Sequence, residues 1–248
     1  MRKVNIIPMA GEGQRFIDQG YKTPKPIIDV NGMPMIIRAA QNLPHADKWI
    51  FICRSSHIND YNIDKILNKY YPSAIIISVD ELTEGQASTC LLAREYLFPD
   101  DQLTIGACDN GVVYNQDIFD RNIINNDALI WTFRNNHTVL NNPNMYGWVS
   151  IDGNSNAISV SCKKSISNNP LNDHAIIGTF SFKRAEYFLR CADNMIEKNR
   201  RINNEFYLDV VMDELIQNKY KTIPFEVEKY ICWGTPLDLE TYLEEVNR

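Results

Sequence analysis

Gly11-Glu12-Gly13-Gln14-Arg15 follows a short apolar run, and Thr23-Pro24-Lys25-Pro26 comes soon after it. Two glycines one residue apart let successive backbone N–H groups approach and ring a phosphate. The loop lacks the lysine-serine end of a P-loop, and Phe16 stands where the third glycine of a dinucleotide fingerprint would fall. Cations follow instead, Arg15 and then Lys25. The prolines flanking Lys25 stiffen the backbone, as a charge aimed at one spot requires. Taken singly, the glycines could make a plain turn and Lys25 could be a solvated loop lysine. Together they read as a cradle for a triphosphate.

Two further segments could serve such a ligand. In Thr83-Glu84-Gly85-Gln86-Ala87-Ser88-Thr89 the glycine would let a base edge pack on backbone while Gln86 or Thr89 hydrogen-bonds it. The same residues could simply start a helix, with Glu84 or Ser88 in the first turn. Asp109 in Asp109-Asn110-Gly111 follows an apolar run without a basic neighbour in sequence. A carboxylate there can hold Mg²⁺, which takes one or two carboxylates plus phosphate oxygens; it can equally cap a helix or an Asx turn.

Other chemistries find no support. His45, His57, His137 and His174 form no pairing suggestive of nucleophilic catalysis and are expected on the surface or in loops. The six cysteines, Cys53, Cys90, Cys108, Cys162, Cys191 and Cys232, are scattered without a C-x-x-C pair, which points to buried thiols in a reducing cytoplasm rather than zinc. With 25 Lys+Arg against 31 Asp+Glu, a net charge of -6 and no basic tract, the chain is not expected to bind nucleic acid. No apolar run approaches the ~20 residues of a membrane helix, and the start of the chain reads as a first strand rather than a signal peptide.

These residues must be positioned by the elements between them. Strands are expected at 4–9, 49–53, 74–79, 103–108 and 128–133, apolar on consecutive positions as strands buried on both faces are. Helices are expected at 34–43, 61–70, 86–96 and 116–125. The rhythm implies an α/β fold: a Rossmann-like, mostly parallel sheet flanked by helices. An Asn-rich stretch, 134–144, should then cross the surface. Strands at 148–151, 157–162, 176–182 and 222–227 follow, with helices at 185–198, 206–217 and 237–246. The 248 residues suit one domain, 1–248, with a nucleotide-binding half (1–133) and an acceptor-binding half (134–248). Three of the unusual segments fall at carboxyl ends of strands, where open parallel sheets bind ligands.

The pattern G-x-G-x-R followed by P-K-P, here Gly11-Glu12-Gly13-Gln14-Arg15 and Pro24-Lys25-Pro26, resembles the nucleotidyltransferases typified by sugar-nucleotide pyrophosphorylases, enzymes of the nucleotide-diphospho-sugar transferase type. The resemblance continues through 83–89, Asp109, Gly178-Thr179-Phe180, Asn203-Asn204-Glu205-Phe206-Tyr207 and Trp233-Gly234-Thr235, and so spans nearly the whole chain. It implies that Ala10, Gly11, Gly13, Arg15 and Lys25 hold the triphosphate and that Gly85 and Gln86 face the base. It also implies Asp109 as the Mg²⁺ ligand, Lys164 at the acceptor phosphate, and Gly178, Asn204 and Glu205 along the acceptor. Lys164 could instead belong to an exposed basic pair, and Asn203 or Asn204 could cap a helix.

One departure stands out. Where many relatives carry a second metal aspartate just before Gly-Thr, this chain has Cys232-Trp233-Gly234-Thr235, so Asp209 or Asp238 would have to substitute if a second carboxylate is used. The reaction the resemblance implies is attack of an acceptor phosphate on the α-phosphorus of a nucleoside triphosphate, releasing pyrophosphate. CTP is favoured, with L-glutamine phosphate or a sugar phosphate as acceptor, in capsule or surface-polysaccharide precursor synthesis. Two rivals are a metal-dependent glycosyltransferase and a non-catalytic nucleotide-binding protein. A homodimer is compatible with the chain but not legible in it, since interface residues look like core.

Overall fold

The computed structural model describes residues 1–246. The first strand, β1 (Lys3–Pro8), lies inside the sheet, with Val4, Ile6 and Ile7 fully buried. The glycine loop leads from it into a single turn of helix, α1 (Gln14–Asp18). After α2 (Met35–Gln41) the chain returns as β2 (Lys48–Arg54), parallel to β1. Helices α3 (Ser55–Tyr61) and α4 (Ile63–Tyr70) then lead to β3 (Ile75–Val79), parallel to β2. The expected helix at 61–70 begins only at Ile63, because Asn62 adopts a left-handed conformation (φ 53°) that separates α4 from α3.

Next, α5 (Gln86–Leu91) precedes β4 (Gln102–Ile105), which pairs parallel with β1 on the side away from β2. The strand is shorter than its apolar run, so residues 106–109 leave the sheet and carry Asp109 over its carboxyl end. They continue into β5 (Asn110–Val113), which sequence periodicity did not indicate. Helix α6 (Gln116–Asn125) and strand β6 (Ala128–Phe133) match expectation. The Asn-rich crossing contains one short helix, α7 (Thr138–Asn141).

The second half adds an antiparallel hairpin, β7 (Gly147–Ile151) and β8 (Ala157–Cys162), and the long β9 (His174–Phe182). Strand β9 inserts antiparallel between β4 and β6. Helices α8 (Ala185–Glu197) and α9 (Leu208–Gln217) follow, then β10 (Thr222–Glu226), parallel to β6. Last come β11 (Lys229–Cys232), paired antiparallel with β5 in a separate two-stranded sheet, and α10 (Pro236–Val246). The main sheet runs β10-β6-β9-β4-β1-β2-β3, with β7 and β8 joined at β9.

Both faces are covered, as the continuous apolar strands require. On one, Val4, Ile6, Leu103 and Ile105 meet Phe188, Leu208 and Val211 of α8 and α9. On the other, Ile7 and Phe51 meet Ile36, Ile37 and Leu67 of α2 and α4. Strand β1 has β2 on one side and β4 on the other, so the chain reverses direction across the sheet there, and a crevice opens beyond the strand ends at such a point. Two histidines depart from the expected surface placement. His57 is buried in α3, and His174 is buried at the start of β9, where its Nδ1 lies 3.0 Å from Thr132 Oγ1. No described helix is long and apolar enough to cross a membrane.

Candidate active site

The glycine loop leaves β1 and the Asp109 loop leaves β4, its neighbour, so sheet pairing sets the two side by side. Gly13 is left-handed (φ 69°), and a Cβ there would lie 3.1 Å from Lys25 Cβ, so the loop closes on the lysine stem. Lys25 begins a short 3-10 turn (Lys25–Ile27) stiffened by Pro24 and the buried Pro26. From there Nζ donates to Asp109 Oδ2 at 2.5 Å and to the Gly234 carbonyl at 3.3 Å. Both side chains are mostly shielded, with 17% and 28% exposure. Burial works against the Lys25 charge, but Asp109 more than restores it, so the lysine pKa is raised and the ammonium is secure.

Two cavities meet at this pair. The larger, about 450 Å³, is lined among others by Ala10, Gly11, Gly13, Lys25, Gly85 and Gln86, all of the residues expected to hold a nucleotide except Arg15. The smaller, about 240 Å³, takes Arg15, Asp109, Lys163, Gly178 and Asp209 into its wall. Gln86 lines both. Arg15 is exposed on α1 at the rim of the smaller cavity.

The structure refines several expected placements. Lys163, not Lys164, lies in the smaller cavity; Lys164 is exposed and lines neither. Lys163 is left-handed (φ 58°), which turns its side chain back so that Nζ donates to the Met145 carbonyl at 2.5 Å and lies 5.7 Å from the Tyr207 ring centre. Nothing in the Lys163-Lys164 doublet distinguishes the two in sequence. Glu205 lines the larger cavity, while Asn204 is exposed and lines neither. Neither Asn203 nor Asn204 caps α9, whose N-cap is Tyr207; both are left-handed in a tight turn closed by Ile202 and Glu205.

Thr89 is largely buried but lines the larger cavity, and it also secures the loop. Its Oγ1 donates to the Gly85 carbonyl at 3.1 Å and shares a 2.5 Å hydrogen bond with Thr83 Oγ1. Gly85 is at φ 120°, and a Cβ there would stand 2.6 Å from Phe206 N. The loop is stitched to that segment by Phe206 N–H to the Glu84 carbonyl (2.8 Å) and Ala87 N–H to the Phe206 carbonyl (3.0 Å).

Pairing of β5 with β11 brings Cys232 and Gly234 beside Asp109, with Trp233 N–H donating to the Asp109 carbonyl at 2.9 Å. Burial, reinforced by Asp238, pushes the Cys232 thiol up to about 12. It is therefore a protonated donor to Asp238 Oδ2 (3.4 Å) rather than a ligand for a hard cation. Asp238 also accepts from Thr235 Oγ1 at 2.6 Å, and Thr235 Oγ1 accepts from the Asp238 N–H at 3.2 Å, a reciprocal cap on α10. Among the described residues no group of three or more His, Cys, Asp and Glu could cage a metal. The single partly exposed carboxylate of Asp109 fits Mg²⁺ of the kind completed by substrate oxygens and water. Of the thiols, Cys53, Cys90 and Cys191 are buried as expected, whereas Cys108, Cys162 and Cys232 adjoin the cavities.

The mixed, mostly parallel sheet, with a glycine loop and an aspartate loop leaving adjacent strands, is a fold this chain shares with solved nucleotidyltransferases. Solved structures share it along almost the entire chain. A nucleoside-diphosphate-sugar pyrophosphorylase from Vibrio cholerae is similar at 20% identity and TM-score 0.78, covering 97% of this chain and 99% of that one. The inositol-1-phosphate CTP transferase of T. maritima is similar at 12% identity and TM-score 0.71, covering 98% and 97%. A UTP-bound UGPase from Acinetobacter baumannii is similar at 16% identity and TM-score 0.73, covering 99% and 93%. No protein-family model and no curated protein sequence matches the chain.

Proposed function

We propose that this protein is a nucleotidyltransferase that joins a nucleoside triphosphate to a phosphorylated small molecule and releases pyrophosphate. The observation that carries the reading is the Lys25–Asp109 pair at the seam of a nucleotide-sized cleft and a smaller acceptor-sized one. A phosphate monoester is already nucleophilic near neutral pH, so its oxygen attacks the α-phosphorus without a general base. Catalysis is then positioning and charge neutralisation. Backbone amides of the glycine loop, Arg15 and Lys25 take the charge of the triphosphate and leaving group. Lys163 lies where a cation would orient the acceptor phosphate. Asp109 would hold Mg²⁺, which when bound neutralises charge on phosphate oxygens.

CTP is the favoured nucleotide, with L-glutamine phosphate or a sugar phosphate as acceptor and a surface-polysaccharide precursor as product. A CTP transferase is among the proteins that share this fold. The test is thermal stability with Mg²⁺ and each of CTP, UTP, GTP, ATP and dTTP, followed by pyrophosphate release. A ligand at about 100 times its dissociation constant adds roughly 2.7 kcal/mol. A Mg²⁺-dependent shift selective for CTP is the expected result. Another triphosphate in its place would change the base, and no shift with any would overturn the reading.

A further inference from the structure

Asp209 stands in the first turn of α9 and in the wall of the smaller cavity. Other shielded carboxylates of the protein are met by strong donors. Asp101 receives Arg2 at 2.5 and 2.8 Å and the Phe98 N–H at 2.7 Å. Glu214 receives Lys198 and Arg200, and Asp213 receives Arg200 and Gln217. Among the described residues Asp209 is met by weaker donors, its own backbone N–H and the Cys162 thiol 3.9 Å from Oδ2. The nearby Lys163 ammonium already donates to Met145. Space for the carboxylate is nevertheless kept: a Cβ on Gly147 would lie 2.1 Å from Asp209 Oδ1, so β7 has its glycine where the carboxylate sits.

A shielded carboxylate facing a cavity with no charged donor bonded to it has acceptor capacity left for solvent or ligand to fill. We infer that Asp209 selects the acceptor, its carboxylate accepting a hydrogen bond from a hydroxyl or N–H group of the phosphorylated small molecule. This rests on the nucleotidyltransferase reading above. Lys163 places a cation in the same cavity for the phosphate end, and Asp209 answers the other end. A site built to bond a substrate donor rejects the analogue that lacks it far more strongly than an apolar pocket rejects a missing methylene.

The test measures pyrophosphate release by the full chain with Mg²⁺ and the triphosphate that stabilises it. Donor-bearing probes are L-glutamine phosphate, glucose 1-phosphate, inositol 1-phosphate and phosphoethanolamine; donor-free probes are phosphocholine and methyl phosphate. Wild type is expected to use at least one of the first set at least about a hundredfold better than either of the second. Asp209→Asn and Asp209→Ala are expected to raise KM for that probe about ten- to a hundredfold, with kcat changed less and the triphosphate-induced melting shift retained. Equal use of donor-free probes, an unchanged KM, or no turnover of any donor-bearing probe while the triphosphate still binds would overturn the inference alone. Loss of Mg²⁺-dependent triphosphate binding in Asp209→Asn would overturn it in favour of a metal role. Failure of wild type to bind any triphosphate would overturn the parent reading instead. The probe comparison on wild type stands even if a variant does not fold.

Discussion

Lys25 Nζ meets Asp109 Oδ2 at 2.5 Å across 84 residues of sequence, because the loops that carry them leave adjacent strands of one sheet. The contact places a cation and a carboxylate together in a shielded cleft. The pair also shows how little a single motif would mean: each half has an ordinary structural explanation until the other is beside it.

Lys25→Ala and Asp109→Ala are therefore each expected to lower kcat about 10²–10³-fold, as loss of a charge-stabilising group does. The pair is mostly shielded, so removing either partner leaves the other unpaired and should lower stability by about 1–3 kcal/mol. Steady-state pyrophosphate release beside thermal melts checks both. Near wild-type turnover in either variant would remove the pair from the mechanism.

Gly85→Ala should act through the backbone. Its φ of 120° lies outside the range ordinary side chains adopt, and the new Cβ would press on Phe206 N at 2.6 Å. Strain and overpacking together should cost on the order of 2–4 kcal/mol. Release of the 83–89 loop should also weaken triphosphate binding, read by calorimetric titration. A variant as stable and as tight-binding as wild type would show that the loop tolerates separation from the Phe206 segment.

Glu214 on α9 is fully buried and receives Lys198 at 2.9 Å together with Arg200. Burial alone would raise its carboxyl; the two cations more than reverse this and hold it below its ordinary 4.5. An acid with a depressed folded pKa contributes stability that is complete above its unfolded value and lost as pH falls through the folded one. Glu214→Gln is thus expected to lose about 3 kcal/mol at pH 7. The gap to wild type should narrow below pH 4.5, as followed by urea denaturation across pH.

Asp209 should behave in the opposite sense. Burial raises its carboxyl, with Lys163 only partly opposing. The folded state then binds the proton more tightly, so ionisation costs stability as pH rises from 3.8 through the folded value. Without ligands, Asp209→Asn is expected to melt above wild type at pH 7, by roughly 2–4 °C for each kcal/mol relieved. The difference should shrink toward pH 4. A lower melting temperature at pH 7 would mean that the carboxylate is satisfied within the protein.

The apolar runs and helical spacings were enough to place most elements, because a strand buried on both faces must be apolar throughout. The glycine loop was legible as a candidate site as well, since Gly11, Gly13, Arg15 and Lys25 lie close together in the chain. Pairings between distant segments were not legible. Sequence periodicity gave no sign of β5 and β11, four-residue strands whose pairing carries Cys232 and Gly234 to Asp109. Nor could it choose Lys163 over Lys164, because a left-handed backbone at one residue decides which side chain enters the cavity. Asp209 became a candidate for acceptor recognition only once tertiary packing set it against Gly147, beside a thiol and in the wall of a cavity. Residue type and local spacing report what a segment can do; burial, partners and the direction of a side chain arise from segments far apart in sequence, and only the folded chain fixes them.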